Sequence, residues 1–120
     1  MRSTHDAERG MLAPETLGLD TRVEIRKSAI KLLEEMPEGI GRLVIDLART
    51  RHVDSAGLGA LMLIQRRAAE RRQLVVLRNV SDEIRFLLVL TKLDDLFQLE
   101  TDGGSGGVPP HPLPAQAEWR

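Results

Sequence analysis

Asp54 and Ser55 form the pair whose types and spacing could do chemistry in this chain. They sit between an apolar run, Leu43-Val44-Ile45-Asp46-Leu47, and a second apolar run that begins at Ala56. The first reads as a buried strand and the second as a helix, with a short polar loop between them. Ser55 therefore carries its hydroxyl to a helix start, beside the small residues Ala56, Gly57 and Gly59 that leave it accessible. A helix N-terminus has unpaired N–H groups and the positive end of the macrodipole, so a phosphoryl group added there is locally welcome. It would also change the surface a partner sees. The plain alternative is that Ser55 is an ordinary N-cap, worth about 1 kcal/mol relative to alanine.

The neighbouring residues carry less. Asp54 has the type of a general base, but orienting the loop or capping a backbone N–H is the favoured reading. Gly57 and Gly59 fit either a close backbone approach or simple steric tolerance. Leu58 and Met62, four apart on a helix that is apolar all round, form either a partner-facing stripe or part of the core. His52 precedes Ser55 by three residues, yet no third group completes a triad and no Gly-x-Ser-x-Gly elbow is present. Gly57-Leu58-Gly59 lacks the third glycine of a dinucleotide fingerprint, since Met62 stands there. Arg66, Arg67, Arg71 and Arg72, with Glu70 among them, read as a solvated helix end. No catalytic set is complete, so the chain reads as a non-enzyme with no cofactor and no metal.

Those residues need elements to hold them. Residues 1–10 are polar and read as a disordered leader. Met11–Leu19 contains Pro14 and Gly18 and predicts at most one short edge strand. Asp20 or Thr21 caps a helix to about Met36, with Ile25, Ala29, Leu32, Leu33 and Met36 on its apolar face. Arg42–Leu47 and Leu74–Leu77 are buried strands, and a helix from about Ala56 to Arg72 joins them. Ser81 opens a third helix that turns Ile84, Leu87 and Leu88 inward; a turn at Asp94–Phe97 and a short last strand to Glu100 follow. Gly103–Gly107 breaks the pattern, and residues 103–120, with four of the six prolines, read as a flexible tail. Strands alternating with helices imply an α/β domain over 11–102, with a small mixed, mostly parallel sheet.

Composition excludes several classes. The chain has 120 residues, no cysteine and a net charge of −1. One domain is the natural size, and thiolate chemistry is absent. No global field favours nucleic acid, and the aromatic residues are Phe86, Phe97 and Trp119 alone, too few for base stacking. No apolar run approaches a membrane span or a signal peptide, so the expected location is the cytoplasm, with no direct insertion into a membrane.

The order of these parts resembles a STAS domain, the fold of sulfate transporters and anti-sigma factor antagonists. The resemblance covers about 11–100 and rests on four stretches. They are Val44-Ile45-Asp46-Leu47, Val53-Asp54-Ser55-Ala56-Gly57-Leu58-Gly59, Leu74-Val75-Val76-Leu77 with Val80-Ser81, and Leu87 through Phe97. It implies a phosphoacceptor serine at Ser55; with the apolar helix start read above, the expected partner contacts are Asp54, Ser55, Ala56, Gly57, Leu58 and Met62. It implies an anti-sigma factor antagonist in a partner-switching pathway. The unphosphorylated protein would bind an anti-sigma factor with serine-kinase activity, phosphorylation would release it, and a phosphatase would reset the cycle. The alternative is a scaffold STAS subunit, not phosphorylated, bound to the ATPase subunit of a bacterial phospholipid-transport ABC complex. Oligomeric state stays open, a homodimer included. The chain departs from the family pattern in three ways. The opening is short of one strand, so the sheet is smaller or another chain covers its edge. Ala56 replaces a frequent second serine. Lys92 stands where glycine is common, which predicts a different final turn.

Overall fold

A computed structural model of the chain describes residues 7–100. Six strands and three helices follow in the order β1 (Glu8–Leu12), β2 (Thr16–Leu17), α1 (Arg22–Glu34), β3 (Arg42–Asp46), β4 (His52–Val53), α2 (Ser55–Glu70), β5 (Leu74–Arg78), α3 (Asp82–Leu90) and β6 (Gln98–Glu100). A 3-10 turn at Asp94–Leu96 leads into β6. The main sheet has the order β1-β3-β5-β6, and each neighbouring pair is parallel. β2 and β4 make a separate two-stranded parallel ladder.

Alternation along the strands sorts the sheet's two faces. Leu43, Ile45, Val75 and Leu77 point into one core with Ile25, Ala29 and Leu33 of α1 and Leu61, Ile64 and Ala68 of α2. Each helix buries positions three or four apart, which is what a one-sided helix must do. On the other face Arg42 bridges Glu8 of β1 at 2.9 Å and also binds Glu100 of β6, while Arg78 reaches Glu100 at 3.1 Å. The Arg42 and Arg78 guanidiniums hold the Glu100 carboxyl below the usual range. One charged row thus spans the sheet from edge to edge, with Val44 and Val76 buried beneath it.

The opening differs from the sequence expectation. Two strands precede α1 rather than one, and Glu8, Arg9 and Gly10 of the expected leader belong to β1. Polar composition hid β1 because Glu8 and Arg9 are tied to side chains elsewhere in the fold, Glu8 to Arg42 and Arg9 to Glu35. Residues 1–6 and the expected tail 103–120 lie outside the described residues.

The helix ends differ too. α2 and α3 both close with the pair of backbone bonds that needs a left-handed residue just past the helix. At α2, Arg72 N donates to Ala69 O and Gln73 N to Ala68 O; at α3, Lys92 N donates to Val89 O and Leu93 N to Leu88 O. Arg72 and Lys92 take φ 56° and 61°. The final turn therefore keeps the geometry glycine favours, although lysine occupies it. Buried Gln73 then closes α1: its Nε2 donates to the carbonyls of Leu33, Met36 and Pro37, and its Oε1 accepts from Arg71 Nε. A left-handed non-glycine residue costs about 1 kcal/mol. Lys92→Gly should raise unfolding stability by about that amount in urea titration with an unchanged slope.

Candidate functional site

The loop before α2 is stapled to the chain's first turn. Asp46 Oδ1 accepts from Ala48 N and from Asn79 Nδ2, which sets the exit from β3. Thr50 Oγ1 donates to Pro14 O, and Arg51 N and His52 N both donate to Glu15 O. Asp54 N donates to Leu17 O at 3.2 Å. These bonds carry the loop alongside residues 14–17 and leave Asp54 extended, at φ −110° and ψ −177°, the conformation of an N-cap.

Asp54, not Ser55, is the cap. Its Oδ1 accepts from Gly57 N at 2.9 Å and its Oδ2 from Leu19 N at 3.2 Å. The Gly57 bond, then the Leu19 bond, with smaller help from the Ala56 N–H and Arg22, holds the Asp54 carboxyl below its ordinary range. A carboxylate so engaged is a poor base. Its work is to join three segments: the loop before α1, the loop after β4 and the first turn of α2.

Ser55 is the first residue of α2 and is exposed. Its hydroxyl makes no hydrogen bond among the described residues. It is thus free of the capping role that was its plain alternative. Ala56 is half-buried and Gly57 is buried. A Cβ on Gly57 would run into the carbonyl of Leu17, whereas one on Gly59 would meet open space. The two glycines therefore have different causes: Gly57 permits backbone contact between α2 and β2, and Gly59 leaves the helix surface bare. Leu58 is half-buried against the core and Met62 is exposed, so the two do not form one exposed stripe.

Sequence reasoning missed the apolar neighbours. Leu19 is 63% exposed although its N–H is held by Asp54, and Val23, one turn on in α1, is also exposed. A lone leucine between Gly18 and Asp20 was the available signal. His52 is exposed on β4 and lines a shallow depression with Glu83 and Leu87 of α3; no hydrogen bond joins it to Ser55 among the described residues. Of the arginine group, Arg67 is bridged to Glu34 and Glu70, and Arg71 binds Met36 O and Glu38. No group of three or more His, Asp or Glu is placed to hold a metal among the described residues. No helix among them is long and apolar enough to cross a membrane.

A family model described as Mlab, STAS domain matches residues 11–100. A curated STAS-domain containing protein from Pseudomonas aeruginosa (strain UCBPP-PA14) is 33% identical over 58 residues, which are 48% of this chain and 57% of that protein. The matched stretch is thus little more than half of that relative's length. Among solved structures, a sulfate transporter family protein from Wolinella succinogenes superposes with a TM-score of 0.67 at 16% identity, covering 78% of this chain and 76% of that one. A putative anti-sigma factor antagonist from Thermotoga maritima gives 0.64 at 16%, over 92% and 88%. The anti-sigma factor antagonist SpoIIAA in its unphosphorylated form gives 0.60 at 14%, over 100% and 94%. These structures share the fold.

Two measurements check the site. Gly57→Ala should lose about 2 kcal/mol or more by overpacking against Leu17, while Gly59→Ala should match or exceed wild type, since the helix gains from losing an interior glycine. Urea titrations of the two variants compare them directly. The depressed Asp54 carboxyl contributes stability that is full above its unfolded pKa and is lost as pH falls through the lower folded value. Carboxyl NMR titration of Asp54 should show a midpoint below that of a free aspartate, and Asp54→Asn should remove this part of the acid-side loss.

Proposed function

The chain belongs to the STAS domain family, and on that premise we propose that it is an anti-sigma factor antagonist working by partner switching at Ser55. One observation carries the reading: Ser55 Oγ is exposed, with no hydrogen bond among the described residues, on a helix start that Asp54 already caps. Nothing in the fold has to break for a kinase to reach it.

The physics of the switch follows from the surroundings. In the unphosphorylated state the mouth of α2 presents a neutral hydroxyl close to exposed Leu19, with exposed Met62 two turns further along the helix. A docking partner covers these at little desolvation cost. The partner, an anti-sigma factor with serine-kinase activity, brings its own ATP and magnesium. The Ser55 oxygen attacks the γ-phosphorus, the bond to ADP breaks, and the hydroxyl proton passes to a base of the kinase. The product carries about −1.5 to −2 charges and three acceptor oxygens. Asp54 next to it is ionised, so the pair repel, and burying both under a partner is costly. The helix N-terminus and Arg22 on α1 stabilise the phosphate locally, so the domain stays folded while the partner leaves. A phosphatase restores the hydroxyl.

A second reading has its own support, because the matching family model is the Mlab one. The chain would then be a constitutive STAS subunit seated on the ATPase of a bacterial phospholipid-transport ABC complex, with Ser55 a passive contact. Incubation with the cognate ATP-binding partner and ATP, then mass mapping, separates the two. Partner switching requires one phosphoryl group on Ser55, a loss of about tenfold or more in partner affinity for Ser55→Asp, and retained binding for Ser55→Ala. An unmodified Ser55 with Ser55→Asp binding as wild type would leave the scaffold.

A further inference from the structure

One glycine of α2 has no reason within the fold. A glycine inside a helix lowers its stability relative to alanine, so it is expected where crowding or backbone angle demands it. Gly57 meets that demand, because a Cβ there would strike the Leu17 carbonyl. Gly18 and Gly41 are crowded in the same way by Asp54 and Gln73, and Gly39 has a φ of 94°. Gly10, on a strand, lies in ordinary contact with the Val44 carbonyl. Gly59 differs from all of these. It is exposed, it lies inside Ser55–Glu70, and a Cβ on it would meet nothing within 4 Å. Among the described glycines it alone combines open space with an ordinary helical backbone.

The bare position opens a depression. Gly59 lines it with Met62, Leu63, Gln65 and Arg66 of α2 and Leu96 of the turn before β6. Met62 and Leu96 are 45% and 41% exposed, so apolar surface on both sides of it stands in water. Ser55, Gly59, Met62 and Arg66 recur at intervals of four, three and four, which puts them on one face of the helix. Gly59 follows Ser55 by about one turn, or about 6 Å along the axis. Leu58 is half-buried against the core, so Gly59 and not Leu58 is the neighbour of Met62 on the exposed stripe. Arg66 lies at one end, and Asp94 and Asp95 immediately precede Leu96. Both signs of charge are therefore close by, and the depression selects by shape and apolarity rather than by charge.

We infer that Gly59 is a specificity-determining residue for the partner. Its bare Cα receives one leucine-sized apolar side chain of the protein that docks at Ser55, seated between Met62 and Leu96. The inference rests on the reading of the start of α2 as the partner-facing side. It adds an apolar lock on the same stripe as the hydroxyl. A side chain closing on the helix backbone here removes Met62 and Leu96 from water, which is the source of affinity. Any larger residue at position 59 would fill the space with its own atoms. The helix stability forgone at Gly59 is thus what keeps the space free for another molecule.

The test sets stability against binding in the full chain. Gly59→Leu should unfold at the same or a higher urea concentration than wild type, yet lose about tenfold or more in affinity for the purified cognate ATP-binding partner. Gly59→Ala should fall between the two in affinity. Isobutanol, which carries the leucine side chain, is a probe that needs no partner. Titrated into wild type, it should shift the amide NMR signals of Gly59, Met62 and Leu96, and these shifts should vanish in Gly59→Leu. Wild-type affinity of Gly59→Leu for the partner would overturn the inference. So would a Gly59→Leu less stable than wild type, since the space would then belong to the fold. Isobutanol shifts led by Phe86, Val89 and Leu90 of α3 would also overturn it, as would Gly59 signals that move with protein concentration alone, which would put a second copy on this face. Comparison with Ser55→Asp separates this inference from the switch. Binding lost in Ser55→Asp but unchanged in Gly59→Leu removes the lock alone; the reverse removes the switch alone.

Discussion

Everything at the functional end of this domain hangs on the carboxylate of Asp54. One oxygen takes the Gly57 N–H and fixes where α2 begins; the other takes the Leu19 N–H and fixes the approach to α1. The contact is closed from below by Gly57, whose bare Cα lets α2 rest on the Leu17 carbonyl, and by Gly18, where a Cβ would strike the same carboxylate. Two glycines and one aspartate therefore decide that Ser55 is lifted out rather than folded in. A serine that capped its own helix would be locked in a bond that any modification would first have to break. Moving the cap to Asp54 separates holding the helix from displaying the hydroxyl.

Much of this was legible in the residues, and the reasons are physical. Leu43–Ile45 and Val75–Leu77 lie in the central strands of a parallel sheet and are buried on both faces, so they read as unbroken apolar runs. The period of α1 was equally plain, because its buried positions are Ile25, Ala29 and Leu33. What failed to show was structure built from long-range polar contacts. β1 looks like a leader because Glu8 and Arg9 find their partners on other elements, Arg42 and Glu35. The β2–β4 ladder is two residues long on each side, too short for any periodicity. Gln73 gives no local hint that it closes a helix ending nearly forty residues earlier. At the site, Ser55 and Gly57 were visible from type and spacing. Asp54 and Ser55 both read as possible caps, and which of the two takes the role was not visible, nor was the exposure of Leu19.

The use proposed for the start of α2 fits its anatomy. Its first turn is where charge would be added or removed, and its second to fourth turns present exposed Met62, Leu63 and Arg66. A switch confined to the first turn leaves the rest of the surface intact in both states. The domain can then change affinity without changing shape, held by the Asp54 clamp and the close backbone contact at Gly57.

The all-parallel order of the main sheet bears on how the chain comes into being. Emerging from a ribosome, β1 has no neighbour until β3 has followed, about thirty residues later, and β3 waits again for β5. No hairpin is available to seed pairing early, so loop closure must precede every ladder bond. During that interval the bare apolar strand β3 is available to other nascent chains. The acidic and basic side chains along β1 and at both ends of the sheet, once they have met, are what deny those same edges to strangers.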